Sequence, residues 1–288
     1  MAFSHENGLY GVVVLNTSYV LATGGSIDLT HEPLLSSGLW GGGYADSATV
    51  VAYSANVVTL EGSVDYELTT NFWTALKDFG WTNRAATAGT ALQVLPNGSG
   101  GFNGKAWCTG VSFSASEGAI VTGSFNWASD QTDSVTATGS TWAGRSVHVD
   151  SGNVGATVFP YWGTSVGGVA DVIDWSANYT AAMNFVTLCS GAATVPSKPN
   201  YILIGTMDAD GSYTVFGLTS AFTYGSLQTV GTCVITMKCG VTTKTVTFGN
   251  IIPNSASPSV VTGGDYTSVS ISFTGIGDGV NSPMYMSA

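Results

Sequence analysis

KAWCTGVSFSASEGAIVTGSFNWAS, Lys105 to Ser129, decides the fold class. Val111, Phe113 and Ala115 alternate with serines. After Glu117-Gly118, Val121, Gly123, Phe125 and Trp127 alternate with Thr122, Ser124 and Asn126. A two-residue period puts the apolar set on one face of an extended chain and the hydroxyls on the other. The Glu-Gly pair between two such runs marks a turn. The stretch reads as a β-hairpin with one face on a core.

Upstream, VVTLEGSVDYEL, Val57 to Leu68, alternates in the same way: Glu61, Ser63, Asp65 and Glu67 share one face, and Gly62, Val64, Tyr66 and Leu68 the other. NFWTALKDFG, Asn71 to Gly80, has a different period, with Phe72, Leu76 and Phe79 at i, i+4 and i+7. It predicts a short amphipathic helix with Thr69 or Thr70 as N-cap and Gly80 at the C-terminal cap. Turn chemistry marks Pro96-Asn97-Gly98, the glycine-rich Gly98 to Gly104, read as a hairpin tip, and Asp210-Gly211.

From Asp130 to Gly168 strand signals are weak apart from Ala156 to Tyr161, so this stretch reads as a connector with a peripheral strand. Strand patterns then resume at Tyr213 to Tyr224, Cys233 to Met237, Lys244 to Phe248 and Val269 to Phe273. The order of elements repeats. Val57 aligns with Tyr213 (offset 213 − 57 = 156), Thr90 with Thr232 (142), Lys105 with Lys244 (139) and Gly123 with Ser268 (145). Similar offsets in constant order predict a duplicated β unit. The fold class is therefore all-β, two tandem β-sandwich or barrel-like domains, the first carrying one short packed helix. The expected boundaries are 1–135, a connector over 136–168, and 169–288.

Composition narrows the function. Charged residues make up 9% of the chain, against about 25% in an average soluble domain. Sparse charge suits a permanent assembly, because charge is depleted at interface cores. Seven Lys plus Arg against eighteen Asp plus Glu give a net charge of −11. That argues against wrapping nucleic acid, which needs a basic footprint. The opening MAFSHENGLYG has neither a basic nor an apolar leader region, so no signal peptide is expected, and no apolar run approaches a membrane span. Cys108, Cys189, Cys233 and Cys239 are expected to start as free thiols in a reducing cytoplasm, with pairing after release, within or between subunits, as the alternative.

With these elements in view, the chain resembles the phage tail tube proteins. In that family a domain ends in Gly, then a VSxSxS strand, a turn, and a final alternating strand of the VTGSFxF kind, and Lys105 to Ser129 follows that pattern. VADVIDWSANYTAAMNF, Val169 to Phe185, and GTMDADGSYTVFGLTSAF, Gly205 to Phe222, look like the second module of the longer tube proteins. The resemblance implies rings stacked head to tail, inner sheets joined around a lumen, and a virion location after synthesis in the host bacterial cytoplasm. The implied partners are other copies of the chain, the tape measure protein, tail terminator and baseplate proteins, a sheath if the tail contracts, and DNA that passes without specific binding. With both domains in the wall, three copies make a pseudo-sixfold ring. With only the first in the wall, six copies carry an external module.

Site chemistry is sparse. His5, His31 and His148 are widely spaced, no serine sits in a GxSxG elbow, and the glycine-rich loop lacks a GK[ST] ending. Cys233 and Cys239 lack metal-ligand spacing. Asp208-Ala209-Asp210-Gly211-Ser212 opens like a calcium loop, but Thr219 replaces its bidentate Glu, so it reads as a solvated hairpin turn. No catalytic residue, cofactor or metal is expected. The candidate surface is the acidic face Glu61, Asp65 and Glu67, facing a lumen or the next subunit. Its counterpart Tyr213 to Tyr224 carries no carboxylate, so lumen charge is expected to alternate between domains. The competing reading is a β-sandwich binding module, lectin-like or adhesin, using the eight Trp and twelve Tyr. A glycosidase is a third, needing two carboxylates in a cleft.

Overall fold

The computed structural model describes residues 12–30, 33–36, 49–53, 59–84, 89–96, 101–116, 119–129, 163–166, 172–186, 201–216, 231–239, 242–260, 267–277 and 282–287. Within them the fold is all-β with one short α-helix. The first-half strands are β1 (Val12–Leu15), β2 (Ser18–Thr30), β3 (Pro33–Ser36), β4 (Thr49–Tyr53), β5 (Thr59–Glu67), β6 (Thr90–Leu95), β7 (Phe102–Ser116) and β8 (Thr122–Ser129). The rest are β9 (Gly163–Val166), β10 (Val172–Val186), β11 (Tyr201–Phe216), β12 (Gly231–Cys239), β13 (Thr242–Val260), β14 (Thr267–Ile276) and β15 (Met284–Ser287).

The hairpin that decides the class is β7–β8, with Ser114 opposite Thr122 and Ser112 opposite Ser124. Its apolar side is buried: Val111, Phe113, Ala115, Val121, Phe125 and Trp127 all lie in the core. Its proposed turn, Glu117-Gly118, lies outside the described residues, as do His5, His31, His148 and Cys189. Trp107 and Tyr66, aromatics on which a sugar platform would depend, are buried as well.

Six strands close into a barrel. Antiparallel pairs run β6–β1, β1–β2, β2–β5, β5–β8, β8–β7 and back from β7 to β6. Helix α1 (Thr70–Lys77) packs Phe72, Trp73 and Leu76 into this core, and Thr69 Oγ1 accepts the Phe72 amide at 3.3 Å. That is an N-cap in the expected place. The helix does not end at Gly80; a π turn, Asp78–Thr82, carries it further. Gly80 serves close approach instead, since an added Cβ would lie 2.9 Å from Tyr179 Oη, whose hydroxyl donates to the Gly80 carbonyl at 2.9 Å.

The second half repeats the first in strand order. The pairs β9–β12, β12–β13, β13–β14, β14–β11 and β11–β10 take the places of β1–β6, β6–β7, β7–β8, β8–β5 and β5–β2. In both halves one long strand, β7 or β13, spends its first part on the preceding strand and its last part on the following one. β9 stands at the end of the strand order, on β12; Ala156 to Tyr161 lies outside the described residues.

Two turn assignments are corrected. Asp208 to Ser212 is no turn; it lies inside the sixteen-residue strand β11, opposite Thr180 to Ser176 of β10. Gly211 is required there because a Cβ would sit 2.5 Å from the ring of Phe273. Of the supposed tip Gly98 to Gly104, Phe102 to Gly104 already belong to β7, and Phe102 is buried in a 4.4 Å stack on Trp127.

Candidate functional site: an acidic sheet face with two bare edges

Eight strands form one sheet through both halves, in the order β2-β5-β8-β7-β10-β11-β14-β13. The halves join where Gly110–Ser116 of β7 pairs with Asp174–Thr180 of β10. Strand partners directly opposite each other point to the same side of a sheet, so the registers define its faces. One row reads Gly24, Asp65, Ser124, Ser112, Asn178, Asp210, Thr274, Ile252. The next reads Leu21, Glu67, Thr122, Ser114, Ser176, Ser212, Ser272, Ser255. The opposite face carries Val64, Tyr66, Phe125, Val111, Phe113, Trp175, Ala177, Tyr179, Ala209 and Phe273, all buried.

The polar face is laced by side-chain hydrogen bonds across the strands. Ser112 and Ser124 hydroxyls lie 2.8 Å apart, Ser176 and Ser212 2.9 Å, Thr214 and Ser270 3.0 Å, and Ser255 and Ser272 2.7 Å. Asn178 Nδ2 donates to Asp210 Oδ2 at 3.1 Å. Such ladders hold neighbouring strands in register at about 0.5–1.5 kcal/mol per bond, and they need no charge.

All the carboxylates of these eight strands lie on this face. Glu61, Asp65 and Glu67 of β5 are there as the alternation predicts, with Glu61 opposite Asp28 of β2. Asp174 of β10 and Asp208 and Asp210 of β11 join them. The expectation that the second copy of this strand carries no carboxylate is therefore corrected. The strand in the place of β5 is Tyr201–Phe216, starting twelve residues before Tyr213 (213 − 201). It brings in two acids, and Asp208 and Asp210 are exposed as Glu61 and Asp65 are. Their signal was present: Asp208, Asp210, Ser212 and Thr214 alternate with Ala209, Gly211, Tyr213 and Val215, and only the Asp-Gly pair argued otherwise.

No Lys, Arg or His occurs in β2, β5, β8, β10, β11 or β14, nor in β7 from Gly110 or β13 from Asn250. Over those stretches the face presents seven carboxylates (Asp28, Glu61, Asp65, Glu67, Asp174, Asp208, Asp210) and no cation; the Glu61 row continues through Ala128 to Trp107, and Lys105 lies two residues further along β7. No protein-family model matches the chain, and no curated protein matches it. Its chemistry must be read from the residues.

Groups that often react are here sealed in. Burial pushes the Cys108 thiol up to about 12, although Tyr179 and the Gly110 carbonyl hydrogen-bond to it, and burial alone pushes Cys233 up to about 12. Desolvation likewise raises the Tyr66 and Tyr179 phenols. A thiolate is the reactive form of cysteine, so these two are inert packing. Among the described residues no group of three or more His, Cys, Asp or Glu is placed to hold a metal ion.

The sheet has two ends. Over Leu21–Thr30, β2 pairs with β5 alone; β1 takes only Ser18–Val20. Among the described residues, β13 past Ile251 pairs with β14 alone, Gly231 of β12 lying opposite Ile251. Among the described residues each stretch therefore has one unpaired edge. Ala22 to Gly25, and Asn254, Ser255, Ser257 and Ser259, are exposed.

Proposed function

We propose that this chain is a structural virion protein that polymerises as stacked rings into the tube of a bacteriophage tail, whose lumen holds the tape measure protein and conducts DNA at infection. The observation that carries the reading is the eight-strand sheet with seven carboxylates on one face. DNA is a polyanion held by proteins through Lys and Arg on its phosphates. A wall whose charged groups are mainly carboxylates, set among rows of hydroxyls and amides with Ile252, Phe216 and Ile276 toward its second end, repels the duplex and lets it pass. Hydroxyl ladders keep that wall smooth without adding basic groups that would retain DNA.

The duplicated strand order supports the same reading. Both halves contribute four strands to the sheet, so both belong in the wall, and three copies supply a pseudo-sixfold ring. The external-module alternative with six copies loses its support, because the second half continues the sheet of the first. The sugar-binding alternative loses support too, since Tyr66, Trp107, Trp127 and Trp175 are core residues. The chain acts by assembly, with tail terminator and baseplate proteins at the tube ends and a sheath around it if the tail contracts.

Negative-stain electron microscopy of the concentrated, purified chain tests this. Hollow tubes with a regular axial repeat are expected. Single rings that never stack would place it as another ring of the tail or baseplate. A monomer at every concentration and salt would overturn the reading.

A further inference from the structure

We propose that copies join edge to edge, the β13 segment Ile252–Val260 of one copy adding antiparallel to the β2 segment Leu21–Thr30 of the next. The proposal rests on the ring reading above and names the surfaces that build it. The two halves repeat one strand order. β7 carries β8 on one edge and β10 on the other over Gly110–Ser114. Its counterpart β13 carries β14 on one edge, and over Ile252–Val260 the other edge has no partner among the described residues. β10 in turn carries β11 on one edge and β7 on the other, whereas over Leu21–Thr30 its counterpart β2 carries β5 and, among the described residues, nothing on its other edge. The bare donor and the bare acceptor are thus the two halves of a seam already formed once inside the chain. Repeating that seam between copies is a head-to-tail contact, which closes into a ring when the rotation allows. It also keeps the carboxylate face on one side throughout. A groove of about 420 Å³ runs beside the bare β2 edge, between Ala22–Ile27 and Val94–Pro96, with room for side chains of an added strand.

Two prolines show which β13 amides face the partner. Pro253 lies opposite Phe273 and Pro258 opposite Val269, with a bulge after Pro253. Phe273, Ile271, Val269 and Thr267 of β14 share one orientation, so their partners Pro253, Ala256, Pro258 and Val260 share one as well. Proline has no amide to give a ladder and sits in strands where its nitrogen faces outward. This set of backbone groups therefore points away from β14, to the bare edge. Its two prolines leave Ala256 and Val260 as the donors there, so the joint between copies holds fewer hydrogen bonds than the β7–β10 seam. Edge prolines also guard an unassembled sheet against indiscriminate pairing.

Hydrogen–deuterium exchange of the full chain, dispersed and assembled, tests the assignment, alongside Ala256→Pro. Assembly is expected to slow amide exchange at least about tenfold in both Leu21–Thr30 and the Ala256 to Val260 region, with β8 unchanged. Ala256→Pro is expected to melt as the wild-type monomer and to form no rings. Wild-type rings in which neither segment, or only one, gains protection would overturn the edge assignment and leave the tube reading standing. So would an Ala256→Pro chain that assembles normally. Were that variant to misfold, the exchange data on the wild type would still decide. A wild-type chain that never assembles would overturn the tube reading itself.

Discussion

The two halves of this chain share a strand order and differ at one joint. In the first, β1 and β2 meet through Asn16-Thr17, both at positive φ (43° and 71°), with Leu15 opposite Ser18. That is the geometry of a two-residue hairpin whose twist matches its strands, and it closes the barrel. In the second, Val166 and Val172 are joined by a longer link, and among the described residues β9 pairs with β12 but not with β10. Closure of a six-strand unit thus hangs on one local turn, while the sheet that continues from unit to unit hangs on the long edges of β7 and β10. The comparison separates what folds a unit from what joins units.

Substitutions in each half test that separation. The largest effects belong to the shared core, which contains residues of both halves in one cluster. Phe125→Ala in the closed half and Phe273→Ala in the open half are each expected to cost about 3–5 kcal/mol, measured by urea unfolding. Both should leave a single transition. Two separated transitions would show that the halves are independent units. Next comes Gly62→Ala, whose Cβ would fall 2.2 Å from the Ser26 carbonyl and 2.8 Å from Trp127, an overpacking worth about 1–3 kcal/mol. In the open half Gly231 has nothing within 4 Å of an added Cβ, so Gly231→Ala should stay within about 0.5 kcal/mol.

Smaller effects probe the seam. Tyr179→Phe removes the hydroxyl that reaches the Gly80 carbonyl from across the β7–β10 joint and lies 2.8 Å from Cys108 Sγ. A loss of about 1–2 kcal/mol in thermal unfolding is expected, because a buried carbonyl loses its donor. The gentlest probe is alkaline pH. Cys108 and Cys233, one in each half, are raised from 9.0 to about 12, so the native state holds protons that the unfolded chain releases. Stability from these thiols is full below pH 9 and is lost as pH rises toward 12. A melting temperature that falls above pH 9 checks this, and alkylation of native protein at pH 8 should spare both cysteines.

Much of this was legible in the sequence. Period-2 alternation found β5, β7, β8 and β14 and their buried faces, and Thr69 capped the helix as its spacing required. What alternation cannot carry is which distant strands share an edge: nothing in Gly110 to Ser116 names Asp174 to Thr180 as its partner. Glycines misled for a physical reason. Gly80 and Gly211 look like caps and turns, yet each makes room for an aromatic side chain from another strand, Tyr179 and Phe273. The second acidic pair, Asp208 and Asp210, was hidden by that same Asp-Gly signal.

The most direct test of the central claim is a strand-resolved electron-microscopy reconstruction of the assembled chain. The expected result is one continuous wall with eight strands from each copy, and Glu61, Asp65, Asp208 and Asp210 pointing into the lumen. An assembly with the acidic face outward, or with the sheet interrupted between copies, would contradict it.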